Sequence, residues 1–282
     1  MHYTLLDTEI LRVGEQQIHI PEALTAIERL WQQASQLPRV DGQQLYEKGS
    51  AKLSGLEQAY KPIIRAAQDD DTLNEVQAGT MGAILYAQAK FSYACCNYSI
   101  GDIPFKIRKA GACCAMLRDA ENLCFNFANS KRDELYVDDW LQLCLLAGEA
   151  VQQRAFINQD RILNSTKRAL GVLARAQNNI LGEALVREEG GELADCSPVY
   201  IGQLYELGSF VWLKMAVLVE PFNVEIAHDS YQTAFKCASV LADRFARDYP
   251  VTATERLAKT EEGLRRTSGT ARYSRPIERI QP

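Results

Sequence analysis

Three long amphipathic stretches, each interrupted near its middle, constrain the fold of this chain more than any other feature. They begin near Leu73, Glu134 and Pro198, 61 and 64 residues apart. Within them apolar side chains recur at steps of three and four, the period that lines one face of a helix. A single amphipathic hairpin leaves its apolar faces in water, so neighbours must stack on it. The pattern predicts an all-α fold: an array of long antiparallel helical hairpins.

Punctuation residues set the expected boundaries. The first hairpin runs from Leu73 to Tyr98, breaks over residues 99–104, and resumes from Phe105 to Ala128. Gly101 supplies a helix stop and Pro104 a restart. The second spans Glu134 to Arg154 and Asn158 to Val186. The third starts at Pro198, with Tyr200, Leu204, Leu207, Val211, Met215 and Leu218 on one stripe, breaks at Pro221, and returns from Val224 to Tyr249. Residues 187–192 form the longest polar break. The acidic run Asp69–Asp71 suits a helix start, because carboxylates cap free N–H groups and complement the helix dipole.

Outside the hairpins the signals are more local. The runs 3–6 and 17–20 flank Gly14 and predict a small hairpin or an extended arm. A helix should follow from Pro21 and end at Pro38. Asp41–Gly42 reads as a turn. A further helix from Gln43 to Ala67 should kink or split at Pro62, which lacks the N–H a helix interior needs. Thr252 and Glu255 have capping-box spacing, predicting a short helix to about Arg266. The expected organisation is an N-terminal arm (residues 1–20), a helical-hairpin domain (21–250), and a short helix with a basic flexible tail (251–282).

Composition narrows the function classes. With 47% hydrophobic and 24% charged residues the chain is ordinary globular material. A net charge of −5 and a pI near 5.4 do not fit the clustered basic excess of most nucleic-acid binders. No signal-peptide pattern opens the sequence, and no apolar run reaches the roughly 18 residues of a membrane span. The eight cysteines sit mostly within helical patterns, which predicts free thiols in a reducing, cytoplasmic setting.

Small residues favour close helix packing, and in SYACCNYSIGDIPFKIRKAGACCAM they fall in a specific order. Ala94 lies in the first helix, Gly101–Asp102 at the turn, and Ala110 and Cys113 at small positions of the second. In this arrangement the chain resembles tetratricopeptide-type hairpin repeat proteins. That resemblance implies a solenoid that holds a protein or peptide partner. The count of about nine helices also fits the 14-3-3 architecture. The Arg and Tyr constellation that grips phosphopeptides in that family has no counterpart here, so its function is not carried over.

Motifs for chemistry are sparse. There is no G-x-S-x-G, P-loop or G-x-G-x-x-G. The vicinal pairs Cys95–Cys96 and Cys113–Cys114 could face each other across two antiparallel helices, but adjacent helix positions diverge by about 100° and do not converge on one metal ion. Packing is their expected role. Glu225–His228 has ligand spacing, but a bundle metal site needs a second copy. No metal site and no cofactor is expected.

The reading is therefore a non-enzymatic scaffold or adaptor subunit that binds a protein or peptide in a helical groove. Candidate partner-binding aromatics are Tyr86, Tyr93, Trp140, Tyr205 and Trp212, all on first helices of hairpins. The alternative is a nucleic-acid-associated subunit of a larger complex. It would use the tail residues Arg265, Arg266, Arg272 and Arg275 together with Arg161, Arg168 and Arg175, which step by seven and so share a helix face. A third reading is a helical-bundle enzyme with a thiol or metal site.

Overall fold

A computed structural model describes residues 4–7, 9–13, 16–98 and 102–271. Among them are ten α-helices, one two-stranded hairpin and a short 3-10 turn at Thr4–Leu6. The fold is all-α, as the apolar periodicity requires. No helix among the described residues is long and apolar enough to cross a membrane. The described residues fall into two compact units, bounded as Met1–Val172 with Glu192–Cys196 and Leu173–Gly191 with Ser197–Pro282.

The first unit opens with strands β1 (Ile10–Val13) and β2 (Gln16–His19), paired antiparallel with Leu11 opposite Ile18. The hairpin is thus formed by residues 10–13 rather than 3–6; Thr4–Leu6 is a 3-10 turn that buries Leu5 and Leu6, and Leu11 is buried from the strand. Helices α1 (Ile20–Gln36), α2 (Arg39–Asp69), α3 (Glu75–Tyr98), α4 (Ile103–Ser130) and α5 (Val137–Gln159) follow, and consecutive helices pack on each other. Residue pairings give their direction. Cys96 meets the Lys106 carbonyl near the α3–α4 turn, and Cys124 meets the Ala78 carbonyl at the far end, so α3 and α4 are antiparallel. Gly79 faces Leu143 and Tyr93 faces Asp160, so α3 and α5 run parallel, as alternate members of an up-down array must.

Helix α3 is buried almost all round from Ala78 to Leu85, and α5 from Trp140 to Gly148. A helix enclosed by neighbours has no need of a polar face. An edge-to-face aromatic cluster ties α1 and α2 to α3: Trp31 lies 4.9 Å from Tyr46 and 5.2 Å from Phe91, centroid to centroid. A charged pair is buried here. Arg154 Nη1 of α5 lies 2.7 Å from Glu121 Oε2 of α4, and Glu121 is fully buried.

Three local expectations are corrected in this unit. Asp41–Gly42 is not a turn but the first turn of α2, where a Cβ on Gly42 would stand 2.7 Å from the Ala34 carbonyl oxygen. The glycine marks a close helix crossing, not a bend. Nor does α2 split at Pro62. Leu53, Leu56 and Tyr60 before the proline and Ile64 and Ala67 after it are all buried, and that shared apolar stripe carries the helix across the missing N–H. The second-hairpin break falls at residues 160–165 rather than 155–157, because α5 stays buried through Asn158.

The unit boundary at Leu173 lies within α6 (Thr166–Arg175), which continues through residues Ala176–Ile180 into α7 (Leu181–Glu189). Over those five residues the hydrogen-bond ladder widens to i→i+5, with the Leu181 N–H donating to the Ala176 carbonyl. Gly182 is required there, since a Cβ would sit 1.9 Å from the Gln177 carbonyl oxygen.

The second unit is built on α8 (Pro198–Val219), buried along most of its length like α3. Leu185 against Gly208 and Glu188 against Tyr205 set α7 antiparallel to α8. Helix α9 (Val224–Arg244) returns along α8, with Cys237 on Gly208 and Phe245 on Gly202. Helix α10 (Pro250–Ala271) returns along α9, with Tyr231 on Gly263 and His228 on Thr267. It is longer than the expected 252–266, because Pro250 fits a first helical position and Thr260 and Thr267 bury their hydroxyls on carbonyls four residues back. Gly101 of the expected turn lies outside the described residues. Its neighbour Asp102 caps α4, accepting from the Phe105 N–H at 2.7 Å.

Candidate functional site

In the first unit α1 and α3 diverge and leave a groove of roughly 460 Å³. Its α3 wall is the stripe Ala83, Tyr86, Ala87 and Lys90, one helix face by spacing. The two alanines leave the room; larger side chains would close it. Leu24, Thr25 and Glu28 of α1 form the opposite wall, and Leu6 and Asp7 close one end. That end is pinned to the interior, because the Leu5 N–H donates to the side-chain oxygen of fully buried Gln142 at 2.9 Å. Lys90 is held in place, 4.2 Å over the Trp31 ring and 3.6 Å from Glu28. The result is an apolar floor with a charged rim, in the size range of pockets that take a ligand or a few anchoring side chains.

Of the candidate aromatics, only Tyr86 lines this groove. Tyr93, Trp140 and Tyr205 are 2–3% exposed and belong to the chain's own interior. Tyr93 donates to Asp160 and packs edge-on against Phe156, and Tyr205 donates to Glu188. Trp212 is half-buried against the small core of α8 and α9. First helices of the hairpins are the most enclosed helices of their units, which is why their aromatics turn inward.

The second unit carries its own groove, between the parallel helices α8 and α10, of about 550 Å³. Arg256 ties α10 to Glu206 and Ser209 at one end. Arg266 ties it to Glu220 at the other, with both bonds at 3.0 Å. Phe210, Leu213 and Val217 line the floor.

The candidate arginines are divided between the two units, with Arg161 and Arg168 in the first and Arg175, Arg265 and Arg266 in the second. Arg161 sits in the loop before α6, so the seven-residue register holds only for Arg168 and Arg175. Arg266 is committed to Glu220, Glu262 and the Tyr231 hydroxyl, which raises its pKa. Arg265 is exposed on α10; Arg272 and Arg275 lie outside the described residues. His228 uses both ring nitrogens within the fold, on Thr267 at 2.8 Å and Gln232 at 3.1 Å. Among the described residues no three His, Cys, Asp or Glu side chains are grouped to hold a metal ion. All eight cysteines are free thiols. The helix register sets Cys96 opposite Lys106, so the vicinal pairs do not come level. Burial pushes the Cys95 thiol up to about 11 and Cys113 to about 12, away from the thiolate that nucleophiles and metal ligands need.

No family model and no curated protein matches this chain. A solved structure that does align is a de novo designed helical repeat protein, with 14% identity over 90% of this chain and 97% of that one. The TM-score is 0.32, and the all-helical architecture rests on the chain's own packing.

Proposed function

We propose that the chain is a non-enzymatic scaffold or adaptor that holds an apolar-anchored segment of a partner protein between helices, in the manner of tetratricopeptide-like arrays. The observation that supports this is the α1–α3 groove. It has an apolar floor, a charged rim and small residues along one wall, and the chain's own described side chains leave it open. Binding at such a site gains from burying two or three apolar anchors, while Glu28, Arg29 and Lys90 discriminate among partners.

Filling the groove tests the proposal. Ala87→Trp places a bulky ring on the α3 wall, whereas Val199→Trp adds the same ring at a 62% exposed position outside it. Proteins recovered with the tagged wild-type chain should be lost with Ala87→Trp and kept with Val199→Trp. Identical recovery from all three would refute the groove as the binding site.

A further inference from the structure

The first two turns of α4 lie at the surface of the first unit, and every residue from Asp102 to Lys109 is exposed except half-buried Lys106. Three of these are large apolar side chains: Ile103 is 72% exposed, Phe105 38% and Ile107 43%. Three alternate with them as cations: Lys106, Arg108 and Lys109. Among the described residues none of the three has a carboxylate partner, and no acidic residue occurs between Asp102 and Asp119. Asp102 itself is occupied as the helix cap. On a chain with a net charge of −5, this is a local concentration of unpaired positive charge around uncovered hydrocarbon.

We infer that this helix tip is a docking surface for an anionic lipid bilayer. Each half of the pattern is explained by one property of that partner. Acidic headgroups attract Lys106, Arg108 and Lys109, and long cationic side chains keep their charge at headgroup level while their stems lie in the interface. Ile103 and Ile107, one turn apart on one helix face, enter the acyl boundary as the helix lies in the interface; Phe105 lies on the opposite face, with Lys109 5.6 Å over its ring. A nucleic acid would satisfy the cations but offer nothing to two exposed isoleucines. This surface is separate from the α1–α3 groove and independent of the protein-binding proposal.

Co-sedimentation of the full chain with vesicles tests it. Vesicles of phosphatidylcholine with 30% (roughly) phosphatidylserine should bind the chain, and pure phosphatidylcholine should not. Lys106→Gln, Arg108→Gln and Lys109→Gln together should weaken binding on the order of a hundredfold, at about fivefold per charge. Ile103→Ser with Ile107→Ser should also weaken it at constant charge, and circular dichroism checks that the exposed positions leave the fold intact. A short duplex DNA serves as the competing ligand. DNA binding that survives the isoleucine substitutions, equal binding to neutral vesicles, or no vesicle binding would each overturn the inference.

Discussion

Gly263 of α10 lies flat against the ring of Tyr231 on α9: a Cβ at position 263 would stand 2.3 Å from the ring's Cε1. Tyr231 is fully buried and its hydroxyl is fixed on Glu220 at 2.7 Å, so the ring has no room to retreat.

Gly263→Ala is therefore expected to destabilise the protein. Alanine favours a helix interior over glycine by about 1 kcal/mol, but overpacking a fixed ring costs about 1–3 kcal/mol. Urea denaturation should show a net loss. A gain of about 1 kcal/mol, the pure helix-propensity effect, would show that the two helices are free to separate.

The Glu121–Arg154 pair should behave as a buried ion pair. Arg154→Met alone removes the cation from a fully buried carboxylate, and should cost about 3–5 kcal/mol. The double variant Glu121→Leu, Arg154→Met should recover most of that, because an apolar pair of similar volume avoids the desolvation of two charges. Equal losses from the single and double variants, measured by denaturation, would contradict this account.

Alkaline pH should unfold the chain in a defined window. Four buried tyrosines donate to carboxylates: Tyr60 to Glu9, Tyr93 to Asp160, Tyr205 to Glu188 and Tyr231 to Glu220. Burial first, and the carboxylate next, raise all four above 10.0, with Tyr231 at about 12. The folded chain then keeps protons that the unfolded chain releases. The stability from these groups is complete below pH 10 and falls as pH rises above it, with the share of Tyr231 lost as pH rises from 10 through about 12. Tyr231→Phe should flatten the fall between those values, although it lowers stability at neutral pH. A pH–stability curve of unchanged slope would discount the pairing.

Thiol reactivity should follow burial. Cys113, Cys124 and Cys237 are pushed up to about 12, chiefly by desolvation. At pH 8 they should resist a thiol reagent in the native protein, while all eight cysteines react in denaturant. Rapid native labelling of Cys124 would show that α3 and α4 open locally.

The helices were legible because their stripes repeat over twenty or more residues. Tyr200 through Leu218 predicts α8 within a residue or two. Single-residue signals were less reliable. Gly42 and Pro62 have local preferences for breaking a helix, and in both cases α2 runs on unbroken. The site was mostly illegible. Tyr86 and Tyr93 are seven apart on α3 and look equivalent in sequence, yet one lines a groove and the other is sealed against Asp160. That difference depends on where α1 and α5 cross α3, which no local pattern encodes. The four tyrosine–carboxylate pairs join positions 11 to 67 residues apart and are invisible for the same reason.

The widened turn at Ala176–Ile180 has a consequence for how this chain tolerates length changes. One surplus residue in a helix rotates everything beyond it by about 100°, so Leu181, Ala184 and Leu185 reach the interior only because the surplus is there. Asn178 and Asn179 are exposed and look dispensable. Removing either one would return the segment to ordinary helical pitch and swing α7's apolar side chains out toward solvent. The two asparagines thus matter by their number rather than their chemistry: substitutions there should be silent, and a one-residue deletion should not.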